Sequence, residues 1–223
     1  MAPLIDVSNE VLNRLNQLGI HYKLKNSESK KRDNSNFIYV PSINLYVAKE
    51  RTLLGKDFYE SQNILHENNE KMLTPFEFIE FLKYTKENHQ DIYNETTKVQ
   101  CPWKAEWLGA DFKTEGDCMY VIYSLFDSKG KIVQKKEILD RNTLMRDKTP
   151  GISLDNYLQN PTKQGFPSKK VKSVNLYSWY PRSNNNLVER FNAFEIGGAC
   201  LFGYRLPSFR NSNLGVRAAK LLD

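Results

Sequence analysis

The side chains that commonly catalyse reactions or bind metals are few and scattered in this sequence. The three histidines, His21, His66 and His89, lack the spacing of metal ligands, and we interpret them as surface or helix-edge residues. No cysteine pair is spaced as in a zinc site, no serine stands in a nucleophile elbow, and the carboxylates are dispersed. We therefore expect no catalytic residue, no metal and no cofactor. Calcium binding stays open, although no compact loop of acidic ligands is visible.

The segment from residue 183 to residue 213 has a different character, because it mixes large apolar side chains with asparagines and turn-forming residues. Aromatic side chains anchor protein interfaces, and asparagines add adaptable hydrogen bonds. This composition indicates binding rather than catalysis. The candidate contact residues are Asn184, Asn185, Asn186, Asn192, Phe194, Ile196, Cys200, Phe202, Tyr204, Leu206, Phe209, Asn211 and Asn213.

Two interpretations of this segment are open. Alternation of apolar residues with others is typical of a half-buried strand, in which case the large side chains would belong to the core. Against this, several glycines and one proline interrupt any long ladder and favour an irregular, loop-rich surface. The interrupting residues are Gly197, Gly198, Gly203, Pro207 and Gly215.

The C-terminal segment resembles the variable proteins of diversity-generating retroelements, and in particular an archaeal, nanoarchaeal-type member. The resemblance lies in Trp179-Tyr180-Pro181-Arg182, in the asparagine-rich stretch after it, and in the closing run from Asn211 to Ala219. Members of that family usually end in a Gly-Phe-Arg strand of a C-type-lectin fold, and Val216 stands here in place of the Phe. The resemblance is specific from Trp179 to Ala219, diffuse from Thr74 to Lys170, and does not cover residues 1–70.

In that family a reverse transcriptase copies a template with errors at adenines, so asparagine codons become codons for many other residues. The resemblance thus implies a diversified ligand-binding protein, with a variable region at about residues 183–213 and an unidentified ligand that we expect to be a protein. Glu cannot arise from an Asn codon by changes at its first two bases, so Glu189 and Glu195 are interpreted as fixed or as coming from other codons. Residues assigned to the scaffold are Trp179, Pro181, Arg205, Pro207, Gly215 and Arg217. Side chains expected to be largely exposed on one face are those of Phe194, Ile196, Phe202, Tyr204, Leu206, Phe209, Asn211 and Asn213.

Two other function classes stay open. An enzyme of the related formylglycine-generating type would share the fold but would need cysteines, and Cys101, Cys118 and Cys200 lie far apart in the sequence. A nucleic-acid-binding module would rest on the net charge of +6, yet contiguous basic clusters such as Lys30-Lys31-Arg32 and Lys169-Lys170 are few and short. We expect a monomer that binds neither nucleic acid nor a membrane.

Local signals predict the elements that would position the variable segment. Thr74-Pro75-Phe76-Glu77 combines an N-cap, a proline at the first helical position and a Glu three residues after the cap, so a helix should begin there and run to about Asn88. Further helices are predicted at 8–18, 58–65 and 154–159, and strands at 20–24, 37–40, 44–48 and 214–218. A hairpin is predicted from 119–126 and 131–134, with Gly130 in its turn.

Together these signals predict an α+β protein with a C-type-lectin-like fold. Two or more helices should pack on small antiparallel sheets, and long irregular loops should dominate the C-terminal half. Residues 71–223 would form the lectin-like domain, with the helix and strands of residues 1–70 belonging to the same domain.

The composition is that of an ordinary globular protein, with 223 residues, 40% of them hydrophobic and 26% charged. Met1 to Asn9 has no basic cluster followed by an apolar stretch, and no window reaches the ~18 apolar residues that a membrane span needs. Three scattered cysteines do not form a disulfide framework. A cytoplasmic protein is therefore expected.

Overall fold

The computed structural model describes residues 35–145, 151–172, 176–179, 181, 186–194 and 198–221, together with residues 14, 17 and 18. Residues 1–33 form one unit and residues 34–223 another. In the first unit Arg14 and Gln17 are helical, but the rest of the helix predicted at 8–18, and the strand predicted at 20–24, lie outside the described residues.

Four helices occur in the described part of the second unit, and their starts follow from local capping. Asp57 and Glu60 form a capping box for the first helix, Thr74 and Glu77 form one for the second, and Ser153 caps the last. The predicted helices at 58–65, 75–88 and 154–159 are thereby confirmed. The helices are α1 (Phe58–Glu67), α2 (Pro75–Asn88), α3 (Gln90–Thr97) and α4 (Leu154–Gln159). No helix in the described ranges is long and apolar enough to cross a membrane.

The smaller sheet joins the start and the end of the second unit. Its strands are β1 (Phe37–Val40), β2 (Leu45–Ala48), β3 (Lys71–Met72) and β11 (Ala218–Lys220), in the order β1-β2-β11-β3. Strands β1 and β2, both predicted from the sequence, pair antiparallel as a hairpin. Because β11 pairs antiparallel with both β2 and β3, the end of the chain is held between two earlier strands.

The larger sheet carries the variable segment at its centre. Its strands are β4 (Lys104–Glu115), β5 (Cys118–Phe126), β6 (Ile132–Ile138), β7 (Leu176–Trp179), β8 (Leu187–Phe194), β9 (Gly198–Arg205) and β10 (Leu214–Val216). The order is β6-β5-β4-β8-β9-β7, with β10 pairing parallel to β4. The hairpin of β5 and β6 is confirmed, and Gly130 in its turn has a φ of +74°. The architecture is thus α+β, as predicted.

The prediction of long irregular loops in the C-terminal half is wrong for the segment from 187 to 205. This segment forms the antiparallel hairpin of β8 and β9, as the alternating pattern alone would have indicated. Gly203 lies at the register shift between the pairs Arg190–Phe202 and Val188–Arg205, and β9 continues through it to Arg205. A Cβ at this glycine would lie 2.9 Å from Oε2 of Glu189 and 3.1 Å from Cδ of Pro181, so the strand needs glycine there for packing.

The two faces of the larger sheet are covered differently. On what we call the back face, the Phe78 ring of α2 packs 4.9 Å from the ring of Phe191, beside buried Leu201. On the opposite, front face, Phe58 of α1 meets Trp107 edge to face at 5.9 Å. The back face therefore carries the main core.

Candidate ligand-binding surface

The register of three adjacent strands places the candidate residues relative to the two faces. Arg190 of β8 lies opposite Trp107 of β4 and opposite Phe202 of β9, while Asn192 lies opposite Cys200. Because directly paired residues share a face and neighbours along a strand alternate, all five belong to the front face. Several variable candidates are thus brought together on one side of the sheet.

Two arginines and four aromatic rings form a cluster on this front face. The guanidinium carbon of Arg190 lies 4.8 Å from the ring centroid of Phe202 and 5.5 Å from that of Phe209. That of Arg205 lies 5.1 Å and 5.5 Å from the same two centroids. Such contacts attract a cation to the ring face. The arginine-aromatic cluster consists of Trp103, Arg190, Phe202, Tyr204, Arg205 and Phe209.

A register shift brings Arg205 into this cluster. The pairing of β8 with β9 moves from Arg190 opposite Phe202 to Val188 opposite Arg205, so β9 contains one more residue than β8 between these pairs. Such a bulge interrupts the alternation and re-aims side chains. The assignment of Arg205 to the buried scaffold is therefore incomplete: this side chain is half-buried and contacts the rings of Phe202 and Tyr204.

Among the described residues no carboxylate forms an ion pair with Arg190 or Arg205, although the buried Glu189 acts electrostatically on Arg190. Arg190 is only 4% exposed, and Nε of both Arg190 and Arg205 lacks a hydrogen-bond partner among the described residues. Burial, followed by repulsion from Arg205, lowers the pKa of Arg190 to about 10. Arg190 therefore still carries a positive charge at neutral pH, and the cluster is a cationic site with apolar walls.

The side chain of Glu189 lies on the back face, opposite the face that carries the candidate variable residues. It is 1% exposed, and its Oε1 has no hydrogen-bond partner among the described residues. Burial raises the pKa of Glu189 well above the usual range. A side chain held in this way, against Gly203, fits the interpretation of Glu189 as a fixed position.

The structure corrects the expected exposure of the variable residues. Among the candidates whose side chains are described, Leu206, at 61%, and Asn186, in the turn before β8, are the exposed ones. The expectation is wrong for Phe202, Tyr204, Phe209, Asn211 and Asn213, all of which are half-buried. Rings that stack on the guanidinium groups lose solvent contact on that side, and Phe209 and Tyr204 also pack against core clusters.

Two further variable candidates, Asn192 and Cys200, are buried at 3% and 4% exposure. They pair directly with each other in the central part of β8 and β9. On their other edges, β8 pairs with β4 and β9 pairs with β7. Asn184, Asn185 and Ile196 lie outside the described residues, and for Phe194 the backbone alone is described. The role of all these residues as ligand contacts stays a prediction.

The scaffold assignment is confirmed for Arg217, which is 1% exposed. It donates hydrogen bonds from Nε to Glu106 at 3.2 Å, and from its terminal nitrogens to the Ala48 carbonyl and the Thr96 hydroxyl, each at 3.2 Å. Its guanidinium also lies 5.0 Å from the ring of Phe81. The predicted buried strand at 214–218 is confirmed as β10 and the start of β11, with Arg217 between them.

Pro181 and Gly215 are likewise buried, and a Cβ at Gly215 would lie 2.5 Å from the carbonyl oxygen of Thr52. Pro207 is half-buried, and its carbonyl accepts the N–H of Phe58 at 3.0 Å. These contacts support the scaffold assignment of the three residues. The side chain of Trp179 is not among those described.

Sequence reasoning missed two members of the cluster, Trp103 and Arg190. Arg190 could have been found, because it continues the two-residue period of Asn192 and Phe194 along one strand. Trp103 enters from the residue before β4, and nothing local in its sequence connects it to the variable segment.

The three cysteines do not form disulfide bonds with one another. Cys101 and Cys118 are exposed, whereas Cys200 is buried. Burial raises the pKa of the Cys200 thiol to about 11, which disfavours the nucleophilic thiolate. Among the described residues, no group of three or more His, Cys, Asp or Glu side chains is placed to hold a metal ion.

Comparison of the chain with protein-family models, with curated proteins and with solved structures gives no match. The function must therefore be inferred from the site itself and from the resemblance of the C-terminal segment.

Proposed function

We propose that the chain is a non-enzymatic binding protein whose ligand site is the arginine-aromatic cluster, and that its ligand is a protein. The observation that carries the proposal is the gathering of Phe202, Tyr204 and Phe209, all half-exposed, around two arginines on one sheet face. Aromatic residues and arginine dominate the energetics of protein interfaces. A surface patch of this composition is suited to anchoring a partner.

The division between the two faces supports a replaceable site on a fixed scaffold. Phe191 and Leu201 of the central hairpin pack into the main core from the back face. Their neighbours Arg190 and Phe202 point the other way, so the hairpin can fold on its back-face contacts. Side chains that do not carry the core can change without loss of the fold.

We further propose that the chain is a variable protein of a diversity-generating retroelement, with a C-type-lectin-like fold. The variable candidates Asn192, Cys200 and Phe202 lie on one face of the hairpin, opposite the face of Phe191 and Leu201. Glu189, which cannot derive from an Asn codon by changes at its first two bases, is buried on the other face. An Arg codon can arise in that way, so Arg190 and Arg205 fit the same scheme.

The site supports neither an enzyme of the formylglycine-generating type nor a nucleic-acid-binding module. The burial and raised pKa of Cys200 weigh against thiol catalysis at that position. The arginine-aromatic cluster contains no lysine, whereas surfaces that follow a phosphate backbone carry rows of Lys and Arg.

Sequencing the DNA that flanks the gene, in many cells of one population, tests the retroelement proposal. We expect a reverse transcriptase gene and a near-copy of the codons for residues 183–213, with adenines at the variable positions. Substitutions should concentrate in the codons of Arg190, Asn192 and Phe202. The codons of Glu189 and Phe191 are the internal control and should stay unchanged. Absence of a near-copy, or equal substitution in the control codons, would contradict the proposal.

A further inference from the structure

The two arginines of the cluster differ from other arginines of the chain in their partners. Arg51 pairs with Glu95 at 2.8 Å, Arg210 with Asp57 at 2.8 Å, and Arg217 with Glu106 at 3.2 Å. Arg190 and Arg205, by contrast, contact rings and form no ion pair with any described residue. Within the described ranges no salt bridge neutralises these two arginines, and the carboxyl group that acts on Arg190 is the buried Glu189, whose raised pKa favours its neutral form.

We propose that Arg190 and Arg205 form a carboxylate-binding subsite, which takes an Asp or Glu side chain of a protein ligand. The proposal rests on the proposed function, because it names the chemistry of the partner at the same surface. The planar guanidinium group matches a carboxylate in shape and can donate two parallel hydrogen bonds to it.

The two arginines have different parts in this subsite. Arg205 is half-exposed and can be reached from solvent, whereas Arg190 is recessed at 4% exposure. Both lie against Phe202 and Phe209, so a carboxylate that pairs with Arg205 also lies in the field of Arg190. Charges interact more strongly where apolar side chains exclude water. The recessed charge therefore strengthens the preference for an acidic group.

The arrangement favours a protein carboxylate over a nucleic-acid phosphate. A phosphate backbone presents a row of charges and is bound by a row of cations, whereas this cluster presents two arginines within one ring of aromatics. Lys104 directly follows Trp103 in the sequence, at the start of β4. It is already paired with Glu95, with 2.7 Å between Nζ and Oε1. A single acidic side chain set among apolar contacts fits such a site better than an extended polyanion.

The test pans the whole chain against a display library of random peptides and measures the affinity of selected peptides by calorimetry. The parent is compared with F202S/Y204S, R205Q and R210Q. Arg210 is the matched control, because it lies in the same segment but is already paired with Asp57 and Glu60.

We expect the selected peptides to share an Asp or Glu. Changing that residue to Asn or Gln, or changing Arg205→Gln, should weaken binding by about tenfold or more, while R210Q changes it by less than about twofold. The peptide change needs no protein variant, so the test holds even if R205Q folds poorly.

Three results would overturn the proposal, and they separate it from the proposed function. The selected peptides could lack an acidic residue and still bind F202S/Y204S more weakly than the parent. This result would support the proposed binding function and contradict the carboxylate subsite. Peptides that bind F202S/Y204S as tightly as they bind the parent would contradict both the carboxylate subsite and the proposed binding function. Binding of a poly-dT oligonucleotide that R205Q abolishes would assign the surface to nucleic acid instead.

Discussion

Arg217→Ala should lower the free energy of unfolding by about 3–5 kcal/mol, because it breaks a buried ion pair and leaves one charge uncompensated. The side chains of Arg217 and Glu106 are 1% and 3% exposed. The variant also leaves the Ala48 carbonyl and the Thr96 hydroxyl without this donor. Urea denaturation at neutral pH, followed by circular dichroism, measures the loss.

Arg210→Ala is the matched control for this prediction. The Arg210 side chain is 53% exposed in its ion pairs with Asp57 and Glu60, and exposed pairs contribute no more than about 1 kcal/mol. Arg217 connects the C-terminal strands to β4 and to the end of α3. A loss for Arg217→Ala no greater than that for Arg210→Ala would show that these elements hold together without it.

Glu189→Gln should make the protein more stable at neutral pH and flatten the dependence of its stability on pH. Burial raises the pKa of Glu189 in the folded state well above the unfolded value of about 4.3. The folded state therefore binds the proton more tightly, and the contribution of this carboxyl is greatest below the unfolded pKa. As pH rises above about 4.3 the parent loses up to about 1.4 kcal/mol per pH unit, until the folded pKa is reached.

Denaturant titrations from about pH 5 to about pH 8 measure this slope, and Glu137→Gln serves as the control of opposite sign. Hydrogen bonds from Lys135 and then Tyr123 lower the pKa of Glu137 to about 2. Its stabilising contribution is present above the unfolded pKa and is lost as the pH falls towards the folded value. Glu137→Gln should therefore lower stability by a constant amount from about pH 5 to about pH 8 and leave the slope in that range unchanged. Parallel profiles for Glu189→Gln and the parent would contradict the account of a buried, proton-binding carboxyl.

Much of the fold could be predicted from the sequence where the determining contacts are local. The capping box of Thr74 and Glu77 involves residues three apart, and it locates the start of α2. Ser153 caps α4 in a similar way. The turn with Gly130 is also local, and it joins β5 to β6 as predicted. Such signals do not depend on how the rest of the chain is arranged.

The candidate site was harder to predict because its geometry depends on distant pairings. The alternation along β8 and β9 was visible, but the glycines gave the loop interpretation too much weight. Gly203 is required by the packing of Glu189 and Pro181, a contact that sequence spacing does not reveal. The bulge that moves Arg205 to the front face, and the approach of Trp103, likewise arise only when the strands pair.

The most direct test of a replaceable binding face on a fixed scaffold compares two libraries by the protease resistance of displayed chains. The front library randomises Phe202, Tyr204 and Phe209, and the back library randomises Phe191, Ala199 and Leu201. Truncating a core phenylalanine costs about 3–5 kcal/mol, whereas half-exposed side chains contribute less. The account predicts that many front-library members stay resistant and that few back-library members do. Equal loss of protease resistance in the two libraries would show that the arginine-aromatic cluster belongs to the core. This result would contradict the account of a replaceable binding face.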